Sequence, residues 1–289
     1  MKILTNLHDI SKLNQVLKVS DGILLGNQMF SKTITHDFLE DTYEIIKKTH
    51  QDKKEVFILL NRIFTDDELI NVEAYIKELP VDLINGFIGA DLGLIFVLEK
   101  LNLSHKFVYN PETLLTNDVD FNDLSTLNIK GAFVSKEITL EDILEIGALK
   151  QYQLFYFGHG HMSMFYSKRQ MLNTFMDYQN ESNILHDDKS LRLSEAKRPD
   201  EVYPIIEDAA GTHVFRGHVF NSFKVINQLE SVVDYFIVDT LFLDDDYAIN
   251  IIKMYKEKQI DKNILDRYNQ ILHDGFLFDE STIKGEKND

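Results

Sequence analysis

Short apolar runs alternate with longer amphipathic stretches along most of the chain. The runs have the length and the Val, Ile, Leu and Phe content of buried strands, and the stretches have the i, i+3, i+4 spacing of helices. Strands are predicted at Lys2–Thr5, Ile23–Gly26, Glu55–Leu60, Leu83–Ile88, Lys106–Tyr109, Gly131–Val134, Leu154–Phe157 and Tyr235–Asp239. Buried strands alternating with helices predict an α/β fold, a (β/α)8 TIM-type barrel, with a doubly wound open sheet as the alternative.

The alternation breaks after the seventh predicted strand. Between about residues 178 and 222 the chain is polar, and then it predicts a hairpin with its turn at Ala210 and Gly211. We therefore expect an antiparallel insertion after strand 7, within one barrel domain that spans residues 1–260. Residues 261–289 are predicted to form a C-terminal helix and a frayed tail.

The composition narrows the classes of function. The 289 residues contain no cysteine and carry a formal net charge of −17. A chain without cysteine forms no disulfide and offers no thiolate to a zinc ion or an iron–sulfur cluster. Its acidity argues against a non-specific grip on nucleic acid or anionic membrane. No apolar run approaches the ~20 residues of a membrane helix, and no signal peptide is evident, so we expect a cytoplasmic protein.

Polar residues follow most of the predicted strands. In a barrel these positions share one end, where the functional site is expected. They are Asn61, Arg62, Asp91, Asn110, Glu112, Ser135, Lys136, Glu137, His159, His161 and Asp239. Such a ring suits a small anionic or polar ligand. Helix N-caps also favour Asp, Asn and Ser, and for Asp91 and Ser135 we favour this capping role.

The segment from Gln151 to Asn173 is the most unusual part of the chain. His159 and His161 bracket a glycine directly after an apolar run. Together with His213 and His218 they offer a four-histidine metal site, although the spacing is not a zinc signature. The favoured alternative is that these histidines are hydrogen-bonded structural groups, so no metal is predicted. The chain has no G-x-S-x-G elbow, phosphate loop or dinucleotide fingerprint.

This segment resembles the signature region of the peptidase U32 family, the collagenase-like protease group. The family signature has the form E-x-F-x-H-G-x-M-C-x-x-Y-S-G-R-C. The matching residues here are His159, Gly160, Met162, Tyr166, Ser167 and Arg169. Similar segments lie at Asn61–Phe64, Gly89–Gly93, Asn110–Asn117, Ser135–Ile138 and Asp208–Phe215. The two signature cysteines fall at Ser163 and Gln170, so this chain departs from the pattern at those positions.

The resemblance implies a barrel-like domain and a role for this chain. Cysteine-bearing relatives are linked to an iron–sulfur cluster, and several hydroxylate RNA bases or ubiquinone precursors. This chain is similar to the short, cysteine-free member that some Gram-positive bacteria encode beside a longer, cysteine-bearing one. The pairing implies a hetero-oligomer in which this subunit binds no cofactor, reaches tRNA through the complex and supports formation of 5-hydroxyuridine at the wobble position.

The site residues follow from the ring and the resemblance together. The catalytic candidates are His159, Glu112, Arg169 and Tyr166. The ligand-binding candidates are Asn61, Arg62, Asp91, Asn110, Lys136, Glu137, Ser167 and His213. A small carboxylate cosubstrate would be held by Arg62, Lys136, His159 and Arg169. The alternative is an autonomous, metal-assisted peptidase that uses His159, His161, His213 or Glu112, and the residues leave both possibilities open.

Overall fold

The computed structural model describes residues 1–181 and 187–279. The strands are β1 (Lys2–Asn6), β2 (Gly22–Leu25), β3 (Glu55–Leu60), β4 (Gly86–Gly89), β5 (Phe107–Tyr109), β6 (Gly131–Phe133), β7 (Gln153–Ser167), β8 (Arg192–Glu195), β9 (Arg198–Asp208), β10 (Gly211–Asn221), β11 (Tyr235–Val238) and β12 (Leu272–His273). The helices are α1 (Leu13–Val19), α2 (Thr42–Gln51), α3 (Asp66–Glu78), α4 (Gly93–Lys100), α5 (Asp118–Asp123), α6 (Leu140–Leu149), α7 (Met171–Tyr178), α8 (Ile226–Leu229), α9 (Asp245–Glu257) and α10 (Lys262–Arg267).

The parallel strands close on themselves. β1 to β7 pair in sequence order, and β11 pairs in parallel with both β1 and β7. This closure leaves the parallel sheet without a free edge. The predicted (β/α)8 barrel is therefore confirmed, and the doubly wound open sheet is wrong.

Apolar side chains fill both faces of the barrel wall. The interior holds Leu4, Leu24, Phe57, Leu59, Ile88, Val108, Phe133, Phe155, Tyr235 and Ile237. The Phe155 ring stacks on Tyr235 with centroids 4.3 Å apart and meets Phe57 edge-on at 5.6 Å. A larger apolar layer lies between the strands and the helices. Burial on both faces explains why the strands appear in the sequence as continuous apolar runs.

The helices begin near the carboxyl ends of the strands, and several of them have acidic residues in their first turn. Thr65 and Thr139 cap α3 and α6 through reciprocal capping boxes. Acidic first-turn residues include Asp66, Asp67 and Glu68 in α3, Asp118 and Asp120 in α5, Glu141 and Asp142 in α6, and Asp245 and Asp246 in α9. Carboxylates are favourable near helix N-termini. The carboxyl end of the barrel therefore carries a dense acidic rim.

The insertion begins earlier than the sequence predicts. β7 does not end near Phe157 but continues to Ser167, and its outer half pairs antiparallel with β10. β9 and β8 extend this sheet by antiparallel pairing. We call the outer half of β7 with β8, β9 and β10 the arm. The predicted hairpin is present, but its turn is at Ala209 and Ala210, one residue before the predicted position, and Gly211 already belongs to β10.

The arm crosses the mouth of the barrel. Its tip reaches the loops after β2 and β3, on the side opposite β7. There the carboxylate of Asp208 accepts a hydrogen bond from the Thr33 amide at 2.7 Å, and the Lys168 amine donates to the Ile63 carbonyl at 2.9 Å. These contacts tie the arm down, so that it roofs the end of the barrel where the loops converge.

The C-terminal part of the chain packs beside the arm. α10 is followed by β12, which pairs in parallel with β10. The predicted frayed tail from about residue 282 lies outside the described residues. Within residues 1–181 and 187–279, no helix is long and apolar enough to cross a membrane.

Replacing Phe155 by alanine tests the interior layer. The Phe155 ring is fully buried among aromatic partners. Its loss should lower the free energy of unfolding by about 3–5 kcal/mol in urea titrations. Phe96→Ala on α4 is the control, because that ring is 73% exposed and should change stability by less than about 0.5 kcal/mol. Equal losses in the two variants would contradict this packing.

Candidate functional site

A small polar cavity lies beneath the arm at the mouth of the barrel. Its volume is about 100 Å³. It is lined by Lys32, Thr33, Asn61, Asn110, Glu112, Phe133, Val134, Lys136, Phe157, His161, Ser163, Phe215 and Asp239. Pockets for drug-sized ligands begin at about 300 Å³, so this cavity suits a ligand of only a few heavy atoms. Of the residues predicted to ring the mouth, the structure brings Asn61, Asn110, Glu112, Lys136, His161 and Asp239 together here.

Two lysines bracket one glutamate in the cavity wall. The Lys32 amine lies 2.6 Å from one carboxylate oxygen of Glu112, and the Lys136 amine lies 3.1 Å from the other. Burial raises the pKa of Glu112, but the charges of Lys136 and Lys32 outweigh it and lower that pKa to about 2. Glu112 is therefore ionised at neutral pH. These three side chains therefore carry two positive charges and one negative charge.

The asparagines hold this group in place through their side-chain oxygens. Asn61 accepts a hydrogen bond from the Lys32 amide at 2.9 Å. Asn110 accepts one from the Glu112 amide at 3.1 Å. Glu112 needs this support because its backbone is left-handed, with φ of 63°. The two amide side chains thus fix the loops that carry the charged groups.

A stack of side chains links Lys32 to the arm. The Lys32 amine lies 4.4 Å from the centroid of the Tyr166 ring. On that ring the imidazole of His213 stacks, with centroids 4.9 Å apart and planes within 4°. His213 Nε2 lies 2.9 Å from Asp208, which also binds the Thr33 amide. Tyr166 and His213 therefore support the cavity wall and position Lys32.

Asp239 adds to the cavity a carboxyl group that can accept or donate a proton. Its carboxylate accepts a hydrogen bond from the Leu241 amide at 2.9 Å. Burial raises the pKa of Asp239 to about 6, although that amide and the charges of Lys136 and Lys189 act in the opposite direction. A carboxyl group that titrates near neutral pH exchanges a proton readily. The cavity therefore combines fixed cations with a group able to accept or donate a proton.

His159 does not lie in this cavity. In the pairing of β7 with β11, Phe157 opposes Ile237 but His159 opposes Val238, so one extra residue forms a bulge at Gly158. A Cβ at Gly158 would lie 2.0 Å from the Phe236 ring. The bulge turns His159 outward from the barrel interior, which corrects its predicted place in the ring at the mouth.

The His159 imidazole is enclosed by α9. Its Nε2 lies 2.8 Å from the Tyr247 hydroxyl, and its Nδ1 lies 3.2 Å from the Tyr255 hydroxyl. Burial, with a smaller contribution from the charge of His161, lowers the pKa of His159 to about 3. A neutral imidazole between two tyrosines joins β7 to α9, which is a structural arrangement.

The other predicted residues lie around the cavity. The Arg62 guanidinium donates to the Met29 carbonyl at 2.6 Å and to the Ala209 carbonyl of the arm at 3.4 Å. Asp91 accepts hydrogen bonds from the amides of Phe64 and Gly93, at 2.9 and 2.7 Å. Arg62 thus fastens the arm, and Asp91 orders the loops after β3 and β4.

Three further candidates lie outside the cavity lining as well, and so does Ser135, which does not cap a helix as expected because Thr139 caps α6. The Ser167 hydroxyl accepts a hydrogen bond from the Arg169 amide at 3.2 Å. The side chains of Arg169 and Glu137 are exposed. Ser135 accepts the Glu137 amide at 3.1 Å, in a loop-ordering role like that of Asp91.

The four histidines of the metal alternative have separate surroundings. His161 lines the cavity and its Nδ1 lies 2.8 Å from the Arg216 carbonyl. His213 pairs with Asp208, and His218 stacks on His273 with centroids 5.9 Å apart. Within residues 1–181 and 187–279, no three His, Asp or Glu side chains are grouped to hold a metal ion.

The residues at the two signature-cysteine positions do not fit an iron–sulfur cluster. Ser163 lines the cavity. Gln170 donates from its amide nitrogen to the Asp208 carbonyl at 2.7 Å. Clusters of this kind are held by thiolates, and the sequence contains no cysteine. No chemistry of this chain is therefore assigned to such a cluster.

Lys32 was not among the predicted site residues. This residue lies in the long loop between β2 and α2, away from the end of the strand. The loop has no helical or strand periodicity from which a buried lysine could be inferred. The one available signal is that loops at the carboxyl ends of barrel strands carry functional residues.

The chain is similar to known proteins of one family. The model for peptidase family U32 matches residues 9–279. The chain is 24% identical over 243 residues to "tRNA hydroxylation protein P2" of Bacillus subtilis (strain 168), which covers 82% of this chain and 78% of the relative. The fold is similar to that of the U32 peptidase Mk0906, with a TM-score of 0.53, 13% identity and coverage of 83% of this chain and 92% of that one.

The pH dependence of stability tests the placement of His159. The pKa of His159 falls from 6.5 to about 3 on folding, so its contribution is complete above pH 6.5 and is lost as the pH falls below that value. Between pH 7 and pH 5 this group should remove about 2 kcal/mol from the free energy of unfolding.

His159→Gln is the matched variant, since an amide can still hydrogen-bond to both tyrosines but does not titrate. Urea unfolding should show a weaker stability than wild type at pH 7 and a flatter decline towards pH 5. His8, whose pKa burial also lowers, to about 4, is common to both proteins and cancels in the difference. Parallel declines in the two proteins would show that His159 is not buried as a neutral group.

Proposed function

The chain belongs to peptidase family U32, and we propose that it is a non-cluster subunit supporting the hydroxylation of wobble uridine in tRNA. Its partner would be a longer, cysteine-bearing U32 protein. The relative named "tRNA hydroxylation protein P2" supports this role, since the match covers most of both chains. The designation P2 in that name fits one member of a set of proteins that act together.

The observation that supports the proposal is a pair of lysines held in a small cavity, in a chain without thiolates. The Lys32, Glu112 and Lys136 group lies largely shielded beneath the arm and carries two positive charges against one negative charge, a surplus that is uncompensated when Asp239 in the same cavity is protonated. The sequence has no cysteine with which to hold a redox cluster. The cavity would therefore bind a small carboxylate ligand, and the oxidative chemistry would take place on the partner.

The charge of the chain supports an indirect route to tRNA. A net charge of −17 repels phosphates, and affinity for nucleic acid depends on Lys and Arg that displace counterions. The tRNA would then be held mainly by the partner, in the cytoplasm where the modification would be made. No observation favours an autonomous metal-assisted peptidase over this accessory role.

Lys136→Gln tests the function of the cavity. The change removes one cation from the cavity and leaves Glu112 paired with Lys32. In cells that lack the native gene, this variant should restore 5-hydroxyuridine-derived nucleosides in tRNA at least about tenfold less well than wild type, since one lost charge-assisted contact is worth about 1.5–3 kcal/mol. Mass spectrometry of digested tRNA measures this level.

Lys47→Gln on the exposed side of α2 is the control for loss of a positive charge, and it should restore the modification fully. Thermal unfolding of both variants establishes that they fold. Full restoration by Lys136→Gln would remove the cavity from the mechanism. Unchanged tRNA modification after deletion of the gene would remove the proposed function itself.

A further inference from the structure

The two lysines of the cavity keep hydrogen-bonding capacity that the chain itself does not use. The side chains of Lys32 and Lys136 are 9% and 8% exposed, and an ammonium group carries three N–H donors. Within the part of the chain that the structure describes, each of the two amines donates a single hydrogen bond, to Glu112. Buried donors are normally paired. The remaining N–H groups therefore need acceptors from outside the chain, supplied by water or by a ligand.

Two uncharged side chains add further free donors to the same cavity. Asn110 accepts the Glu112 amide through its side-chain oxygen, and its NH2 group has no partner among the described residues. The hydroxyl of Ser163 also lines the cavity and has no hydrogen-bond partner in that part of the chain. The free groups are thus mainly donors. A carboxylate matches them well, because it offers about four acceptor sites and no donor.

The charges that line the cavity leave room for one further negative charge. Lys32 and Lys136 supply two positive charges, and Glu112 supplies one negative charge. Burial lowers the pKa of His161, and the pKa of Asp239 of about 6 leaves that carboxyl group partly protonated near neutral pH. The uncompensated charge of the lining is therefore at most one positive unit. A monoanion would neutralise it, whereas a dianion would leave a shielded negative charge without a partner.

Phenylalanine rings bound the cavity on the side of the barrel and on the side of the arm. Phe133 belongs to the interior apolar layer, where its ring centroid lies 5.4 Å from that of Phe155. Phe215 comes from β10 of the arm, and the ring centroid of Phe157 lies 6.0 Å from the Lys136 amine. An alkyl group gains by contact with such rings, and a second polar end would lose its hydration there.

We propose that the cavity binds a monocarboxylate of about two or three carbon atoms, because a volume of about 100 Å³ is roughly the space of three water molecules in the liquid. The carboxylate would accept from the lysine amines, and the alkyl end would lie against the phenylalanine rings. The Ser163 hydroxyl would donate to the carboxylate and so determine specificity. This inference rests on the proposed function, in which the cavity holds a small carboxylate ligand.

Calorimetry of the full-length chain with small anions tests the ligand class. The sodium salts of acetate, propionate, bicarbonate, phosphate and succinate are titrated at pH 7 and constant ionic strength. Acetate or propionate should bind with a dissociation constant of about 1 mM or lower, which is within reach of ligands of this size. Succinate, phosphate and bicarbonate should each bind at least about tenfold more weakly, since they add charge or lack an alkyl group.

Ser163→Ala tests the specificity residue. Loss of one uncharged hydrogen bond should weaken binding of the better monocarboxylate about threefold to tenfold. Ser231→Ala is the matched control, since that serine is exposed and follows α8, and it should bind as wild type does. Lys136→Gln should weaken binding by more than about tenfold, because it removes a charged donor. Thermal unfolding establishes that the three variants fold.

Each other outcome overturns a defined statement. Equal binding by Ser163→Ala and Ser231→Ala would show that Ser163 does not contact the ligand. Binding of bicarbonate or phosphate as tight as that of propionate would replace the monocarboxylate by an inorganic anion, and tighter binding of succinate would replace it by a dianion. If no probe binds at concentrations up to about 20 mM, the ligand class is wrong.

The tRNA of a deletion strain reports on the proposed function separately. Loss of the modified nucleosides in a strain whose purified protein binds no monocarboxylate would leave the subunit role standing and remove the ligand. Binding of propionate by a protein whose deletion leaves tRNA unchanged would keep the ligand site and remove the role in tRNA modification.

Discussion

The rest of the structure depends on β7, which is a strand of two sheets. Its first half closes a parallel barrel between β6 and β11, and its second half pairs antiparallel with β10. The change of partner requires a change in register, which the bulge at Gly158 provides. Without this bulge the arm would leave the barrel in another direction, and the roof over the mouth would not form. The roof of the cavity and the enclosed position of His159 both follow from it.

The arm explains why a barrel of ordinary size has so small a cavity. Asp208 and Arg62 join its tip to the loops across the mouth, and Phe215 from β10 enters the cavity lining. Exclusion of water strengthens the interaction of Glu112 with its two lysines, because the local dielectric constant is lower than that of bulk water. The arm therefore influences the electrostatics of the site as well as its volume. A barrel with open loops would leave the same three charges largely hydrated.

The sequence predicted those parts of the fold and site that obey periodic rules. The strands were found because apolar runs recur, and Asn61, Asn110, Glu112 and Lys136 were found because the residues that follow parallel strands meet at one end of a barrel. His159 was placed in the mouth by the same rule, which fails at a bulge because the inward and outward sides exchange. Lys32 was not identified, since its burial depends on Tyr166 and Glu112, which are remote in sequence. The long continuation of β7 was missed because glycines at 158 and 160 suggested an end to the strand.

Binding of an anion in the cavity would depend on the protonation of Asp239 as well as on the charges of the lysines. An anion bound beside this carboxyl group would raise its pKa further above the value of about 6 that burial sets against the Leu241 amide and the charges of Lys136 and Lys189. Binding at neutral pH is then coupled to the uptake of a proton, and the apparent affinity increases as the solution becomes more acidic. The heat of such binding would vary with the ionisation enthalpy of the buffer. An anion that bound in this cavity at neutral pH would therefore take up a proton together with it.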